Sequence, residues 1–377
     1  MSRTKLLIFI DWFSPGYKAG GPVTSIVNLS KHLGNKLDLH ILTSDTDYCA
    51  SEPYPGIPVN TWHVGNAAVV CYLQKTILTF RLLLRMIRAA QCDIWYLNGI
   101  YSLYFSILPM LAARLLHPRK IIVAPRGMLS RQTFSVKKYR KIAFLTLLRH
   151  IHWFRNVTFH ATSEVEMKDI RKLFPGVPVV CLNNFPPLAA DIHSSDKISN
   201  RLRLISMARI SPEKNTRFAL EVLGNCRRSV EFDLYGEISD LGYWNECRRI
   251  IECLPANVTV RYHGSLDPIA LHRALEHRDL LFLPSCGENF GHAILESMLA
   301  GVPVLISDRT PWRNLEKAGV GWDLPLEQPE EFARVIDKCA VMPPAEYEIL
   351  RRKTALYARE CSDAESLVRK YLQLFEC

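Results

Sequence analysis

The segment Leu280-Leu-Phe-Leu-Pro-Ser-Cys-Gly-Glu-Asn-Phe-Gly-His-Ala-Ile-Leu-Glu-Ser-Met-Leu-Ala-Gly301 decides how the chain folds. Leu280–Leu283 is too short for a helix and stops at Pro284, as a buried strand does. The next residues are those of a glycine-containing loop, and apolar spacing of helical period resumes at Ala293, Ile294, Leu295, Met298 and Leu299. The helix starts near Phe290–Gly291, and its first N–H groups, with the positive end of its dipole, suit phosphate oxygens. Glu288 lies in the loop, and Glu296 follows after seven intervening residues. Carboxylates accept paired hydrogen bonds from neighbouring hydroxyls, as a ribose diol or a hexose presents them. Phosphate at the amides and hydroxyls at the acids describe a nucleotide sugar. A plainer reading makes Glu288 a partner of the helix dipole and Glu296 a solvated acid. Against it, Glu296 sits between Leu295 and Met298–Leu299 in a helix that reads as buried, where an acid needs a partner.

Working outward, the same strand-then-helix texture fills the chain. The first half reads Leu6–Ile10, Val23–Leu33, Leu37–Thr43, Thr76–Ala90, Ile94–Leu97, Ser102–Leu116, Ile121–Ala124, Val136–Phe154, Thr158–Ala161, Glu164–Leu173 and Val179–Leu182. After Pro186, Pro187 and a polar stretch, a second series runs from Arg203–Ala208 to two helical stretches beyond Ala345. Strands alternating with helices predict parallel sheets covered on both faces. The expected architecture is α/β, two doubly wound domains facing a central cleft: residues 1–188, a linker over 189–202, a second domain over 203–358, and a closing helix in 359–377 that returns to the first domain. Ligands of such sheets sit at the carboxyl ends of strands.

The 377 residues suffice for two domains, and 48% hydrophobic with 22% charged content excludes disorder. Eleven scattered cysteines, with no CxxC pair, read as reduced core residues rather than a disulfide framework. The apolar run before Asp11 is shorter than a secretory signal, so the start reads as a strand and the chain as cytoplasmic. Residues 94–113 carry no charge, but Asn98, Gly99, Ser102 and Pro109 break them into strand, loop and helix rather than one membrane span. Charge is uneven: residues 1–190 hold 23 basic and 9 acidic side chains, while the remainder holds 24 and 28. Between Asp93 and Glu164 there is no acid at all, so an anionic partner is expected there.

The Glu288–Glu296 spacing inside GENFGHAILESMLAGVPVLISD resembles the donor-site signature of retaining glycosyltransferases of family 4, which have the GT-B fold. SMARISPEKN (206–215) resembles that family's R-x4-K motif and GYKAGGP (16–22) its first glycine-rich loop. APRGMLS (124–130), ATSEVE (161–166) and TPWRNL (310–315) resemble its exopolysaccharide-building branch. The resemblance implies transfer from a UDP- or GDP-sugar to a glycan acceptor, lipid-linked as on a polyprenyl diphosphate, in bacterial surface polysaccharide synthesis. It implies that Arg209 and Lys214 hold the donor diphosphate, Glu288 contacts the transferred sugar, and Glu296 grips the ribose, with Gly20, Gly21, Asn289, Phe290, Gly291 and His292 lining the donor site. Acceptor-side candidates are Asn98, Arg126 and His160. Two departures stand out: Asn98 replaces a histidine of many relatives, and Asn183-Asn184-Phe185 replaces a Pro-Asn-Gly. An asparagine cannot act as a general base, so acceptor activation is unassigned.

No cofactor is expected. Asp45-Thr46-Asp47 has the DxD form of metal-dependent transferases but lacks companion ligands, and metal is expected to be unnecessary because Arg209, Lys214 and a helix end can neutralise a leaving diphosphate. Residues 134–155 read either as a basic amphipathic helix for an anionic membrane face, placing the protein peripherally on the inner plasma membrane, or as a core helix with a solvated basic side. Nucleic acid is not expected, as no recognised motif accompanies the basic charge. Two other readings stay open: a nucleotide-sugar epimerase of the same architecture, and a non-catalytic nucleotide-sugar-binding partner protein.

Overall fold

The computed structural model describes residues 3–129, 138–188 and 197–376. The chain divides into two compact units, one of residues 1–188 with 364–377 and one of residues 189–363.

In the first unit the elements are β1 (Lys5–Phe9), α1 (Gly21–Leu33), β2 (Asp38–Ser44), β3 (His63–Val64), β4 (Val69–Leu73), α2 (Phe80–Ala90), β5 (Ile94–Asn98), α3 (Leu108–Leu116), β6 (Lys120–Ala124), α4 (Lys138–His150), β7 (Thr158–Ala161), α5 (Glu164–Leu173) and β8 (Val179–Cys181). The second unit holds β9 (Arg201–Met207), α6 (Thr216–Leu223), β10 (Ser229–Tyr235), α7 (Leu241–Glu252), β11 (Val258–Tyr262), α8 (Pro268–Glu276), β12 (Leu280–Leu283), α9 (His292–Leu299), β13 (Val304–Ser307), α10 (Leu315–Ala318), β14 (Gly321–Leu324), α11 (Pro329–Val341) and α12 (Pro344–Glu360). The closing helix α13 (Ala364–Glu376) belongs to the first unit.

The first sheet runs β3-β4-β2-β1-β5-β6-β7-β8, parallel except for the β3–β4 edge. The second runs β11-β10-β9-β12-β13-β14 and is parallel throughout. Central strands are buried on both faces, which is why β1 and β12 read as unbroken apolar runs. Helices present one apolar stripe: α2 buries Leu83, Met86, Ile87 and Ala90, and Thr79 caps it by accepting from Leu82 N at 3.2 Å. On the other face of the first sheet, α13 buries Tyr371, Leu374 and Phe375. Phe375 meets Tyr96 edge-on at 5.5 Å, and Tyr371 packs on Phe185 at 4.7 Å.

The uncharged stretch 94–113 is β5, a π-helical turn (Leu103–Ile107) and the start of α3. No helix among the described residues is long and apolar enough to cross a membrane. Three strands escaped the sequence reading: β3, β4 and β14, all at or beside a sheet edge, where short and half-polar runs suffice. The linker expected over 189–202 ends earlier, because Arg201 and Leu202 already pair with β10. Their arginines disguised a strand: Arg203 is buried against Asp279, Nη2 to Oδ1 at 2.9 Å. Residues 189–196 of that linker lie outside the described residues.

Truncating Phe375 to alanine should cost about 3–5 kcal/mol in the first unit. The measurement is amide hydrogen exchange: β1 and β5 should exchange faster while β9 and β12 keep their protection.

Candidate functional site

In the second sheet β9 has β10 on one side and β12 on the other, so the crossovers leaving β9 and β12 run in opposite directions. The crevice outside the carboxyl ends of two such strands is where open α/β sheets bind ligands. Arg209 follows β9 there, and Glu288 follows β12. The Arg209 loop is held by its neighbour: Ala208 N donates to Tyr235 O at 2.9 Å and Ile210 N to Glu237 O at 2.9 Å. Gly236 makes this possible, since a Cβ there would stand 2.0 Å from Ala208 O.

The two loops are joined at the ligand edge. Cys286 N donates to Glu213 O at 2.8 Å, Asn215 Nδ2 to Pro284 O at 3.1 Å, and Glu288 N to Arg309 O at 3.2 Å. Across them Lys214 Nζ donates to Glu288 Oε1 at 2.6 Å, with side chains only 20% and 10% exposed. Arg209 lies 3.6 Å from Glu213. The structure therefore brings Lys214 and Glu288 together, with Arg209 on the same loop as Lys214 and paired with Glu213.

Helix α9 begins on Gly291, whose φ of 81° is left-handed and whose missing Cβ would press on Ile294 Cδ1 at 2.9 Å. No side chain caps this helix, so its first amides are offered to an external acceptor. Asn289, Phe290 and His292 are half-buried around that start, with the Phe290 and His292 rings 4.7 Å apart, and Trp312 Nε1 holds Phe290 O at 2.8 Å. Glu296, on the second turn, is half-buried, and its carboxylate makes no hydrogen bond or ion pair among the described residues. Burial pushes its pKa up to about 7. The partner that a buried acid calls for is thus not found among the described residues.

In the first unit, the corresponding divergence lies between β1 and β5. Gly20, with φ of 68°, starts α1 without a side-chain cap, and Gly21 is its first residue. The preceding loop is pinned by Asp47, whose Oδ2 accepts from Tyr17 N at 3.0 Å and Lys18 N at 3.3 Å. Asp45 Oδ1 accepts from Lys75 N at 3.1 Å. The DxD pair thus serves the backbone and fixes the glycine loop.

Beside it, Arg126 Nε and Nη2 donate to Asn98 Oδ1 at 3.1 and 3.0 Å, Nη2 also donates to Tyr96 OH at 2.9 Å, and Nη1 donates to Asn184 Oδ1. His160 Nε2 lies 2.9 Å from Leu182 O, which can only accept, so Nδ1 accepts from Tyr96 OH at 2.6 Å. Burial, reinforced by Arg126, pushes His160 down to about 3, so the ring is neutral. His160, expected on the acceptor side, is fully buried with both nitrogens engaged, and so supports Tyr96 instead of facing a ligand. Asn98 is likewise buried and orients Arg126. Sequence reasoning missed Tyr96, Asn184, Asn215, Gly236 and Trp312; only Gly236, directly after a strand, carried a local signal.

Glu296 has a consequence for stability. Between the ordinary 4.5 and about 7 the unfolded chain has released this proton while the folded chain keeps it, so stability falls as pH rises through that window. Glu296→Gln should therefore raise the Tm of the unliganded protein at pH 8 by about 3 °C or more, with the gain shrinking toward pH 4.5. Thermal scans from pH 5 to 8 check this, and a gain that does not change with pH would contradict it.

Residues 189–360, in the second unit, match the family model described as glycosyl transferases group 1. No curated protein sequence gives a significant match. Among solved structures, sucrose-phosphate synthase from Thermosynechococcus elongatus is similar with a TM-score of 0.72 at 16% identity, covering 99% of this chain and 98% of that one. Anabaena HepE in complex with UDP-glucose is similar at 0.71 and 16% identity, covering 98% of both chains. WaaG, a glycosyltransferase involved in lipopolysaccharide biosynthesis, is similar at 0.67 and 13% identity, covering 99% of both. With both sheets and their order on view, the fold is that of the GT-B glycosyltransferases: two Rossmann-like domains in one chain.

Proposed function

We propose that the protein is a retaining, metal-independent glycosyltransferase that takes a sugar from a nucleoside diphosphate sugar and passes it to a glycan acceptor. The observation that carries this reading is the second unit's switch point, where the Lys214–Glu288 pair at 2.6 Å, the uncapped start of α9 and the unpartnered Glu296 lie along one ligand edge. Each suits a different part of one donor. Arg209 and Lys214 meet the diphosphate, one as a planar fork and one as a point charge. The α9 amides add their dipole to the same oxygens. Glu288 turns its second oxygen to the transferred sugar, and Glu296 takes the ribose hydroxyls.

Departure of the diphosphate builds negative charge that these cations and amides stabilise in place, so no metal is required for charge neutralisation. In the proposed same-face attack, the leaving phosphate oxygen accepts the acceptor's proton as the new glycosidic bond forms. The acceptor is assigned to the first unit, beside Asn98 and Arg126. HepE was crystallised with UDP-glucose, which places UDP-sugars first among donors to try.

Replacing Glu288 with alanine should lower turnover by about a hundredfold or more, with Tm close to wild type. Steady-state assays with a panel of UDP- and GDP-sugars check it, and normal turnover would remove the central residue. Proton NMR of the product should show a retained anomeric centre. With donor alone, slow hydrolysis is expected; an epimerised sugar would favour the epimerase reading, and binding of neither UDP nor GDP would favour the non-catalytic one.

We also place the protein peripherally on an anionic membrane, where a lipid-linked acceptor would lie. Helix α4 turns Leu145 and Leu148 to the core but leaves Ile142, Leu147 and Ile151 exposed beside Arg149. Residues 134–137 of the expected contact lie outside the described residues. Flotation with anionic liposomes should recover the wild type, and Leu147→Glu with Ile151→Glu should reduce recovery severalfold; equal flotation on neutral liposomes would refute it.

A further inference from the structure

At the divergence of β1 and β5 stands an acid that takes no part in the donor site. Beyond β1 the chain is fixed by β2: Ile10 N donates to Leu42 O at 3.1 Å, and Asp11 O accepts from Ser44 N at 3.2 Å. Ile10 and Phe13 are buried, whereas Asp11 and Trp12 between them are half-buried at the carboxyl edge of the sheet. Asn98, at the end of β5, donates through Nδ2 to Phe9 O at 3.4 Å, two residues before Asp11. Just beyond β5, Ser102 Oγ donates to Asp11 Oδ1 at 2.6 Å. Ser102 supplies the one side-chain hydrogen bond to this carboxylate among the described residues; no ion pair forms there, and Lys75 acts on it only at longer range.

Holding Ser102 does not account for an acid at this position. Ser102 Oγ caps the π-helical turn by accepting from Phe105 N at 3.1 Å, and a neutral oxygen would take its proton equally well. A carboxylate is the costly choice: burial raises the Asp11 pKa, against the pull of Ser102, its own amide and Lys75. With Oδ1 fixed by Ser102, the carboxylate keeps acceptor capacity for a hydroxyl. The neighbouring residue adds a second chemistry. The Trp12 ring meets Tyr48 edge-on, centroids 5.1 Å apart at 86°, and Tyr48 N is held by Asp47 Oδ1 at 2.7 Å. An aromatic ring beside a carboxylate suits a sugar, which presents a C–H face and a hydroxyl edge, and suits a second anion badly.

We infer that Asp11 and Trp12 form the subsite for the acceptor's sugar: the Asp11 carboxylate accepts from one of its hydroxyls and Trp12 packs against its ring. The sugar that receives the transfer is then a neutral one and not a uronic acid. This rests on the transferase reading, and the test keeps the two apart.

The full-length protein is saturated with UDP or GDP, whichever raises its Tm, so that the donor site is filled. The p-nitrophenyl glycosides of glucose, galactose, mannose and N-acetylglucosamine are then titrated, with the glucuronide as acidic counterpart. Binding is read from the Trp12 indole N–H resonance, assigned by its absence in Trp12→Phe. At least one neutral glycoside should shift this resonance, and the glucuronide should need at least about tenfold more for the same shift. Asp11→Asn should need at least about tenfold more of the neutral glycoside, as expected on losing a charge-assisted hydrogen bond, and should narrow the gap to the glucuronide. If Asp11→Asn fails to fold, as a lost nucleotide response would reveal, the wild-type discrimination between neutral and acidic glycosides decides. A resonance that no neutral glycoside moves, unchanged affinity in folded Asp11→Asn, or a glucuronide bound as tightly as the neutral glycosides overturns this subsite alone. No response to UDP or GDP in the wild type counts against the donor assignment instead.

Discussion

Parallel pairing is the constraint on which the rest depends. In a parallel sheet every strand ends at the same edge, and each crossover helix must start above that edge, so strand carboxyl ends and helix amides converge there. Convergence alone gives only a rim of loops. A crevice opens where neighbouring strands send their helices to opposite faces, at β9 and β12 in one unit and at β1 and β5 in the other. Glu288 and Glu296 both follow β12, at the first of these places. Helices α2, α5, α7 and α8 close their starts with Thr79, Ser163, Asp240 and Asp267, whereas α1 and α9 begin on glycines without a side-chain cap.

The sequence exposed much of this because the physics is local. Buried parallel strands must be apolar on both faces, so β1, β5, β9 and β12 could be read as runs, and the glycine loop with its flanking helix marked the ligand edge directly. Edge strands could not be read so easily: β3 has two residues, and β14 mixes Trp322 with Asp323. The Arg209–Lys214–Glu288 grouping was legible only through spacing and resemblance, because Lys214 and Glu288 are 74 residues apart and meet through the register of β9 with β12. Asn98, Arg126 and His160 were named as acceptor-side candidates, but the hydrogen bonds that link them were not legible. Tyr96 and Asn98 share β5 while Arg126, His160 and Asn184 come from three further segments, and no periodicity links the four.

The DxD segment shows how the same residue types can serve different ends. Asp45 and Asp47 look like metal ligands in one dimension, yet their oxygens are taken by backbone amides of Tyr17, Lys18, Tyr48 and Lys75. A carboxylate accepting several N–H groups is a structural clamp. Its consequence is still functional, since the clamped segment leads into Gly20.

Glu296 and Arg126 differ in what surrounds them, and the difference bears on what Glu296 can take. Among the described residues no hydrogen bond or ion pair engages the Glu296 carboxylate, and burial holds its proton to about pH 7. A ligand with another negative charge would worsen its position, whereas a pair of hydroxyl donors relieves it. Arg126 is held by the neutral oxygens of Asn98, Asn184 and Tyr96, and the buried Glu166 carboxylate, bonded to Gly127 N at 2.6 Å, brings a negative charge to the same turn. The proposed nucleotide sugar brings such hydroxyls in its ribose, and this is what makes that donor fit an acid which a further anion would not.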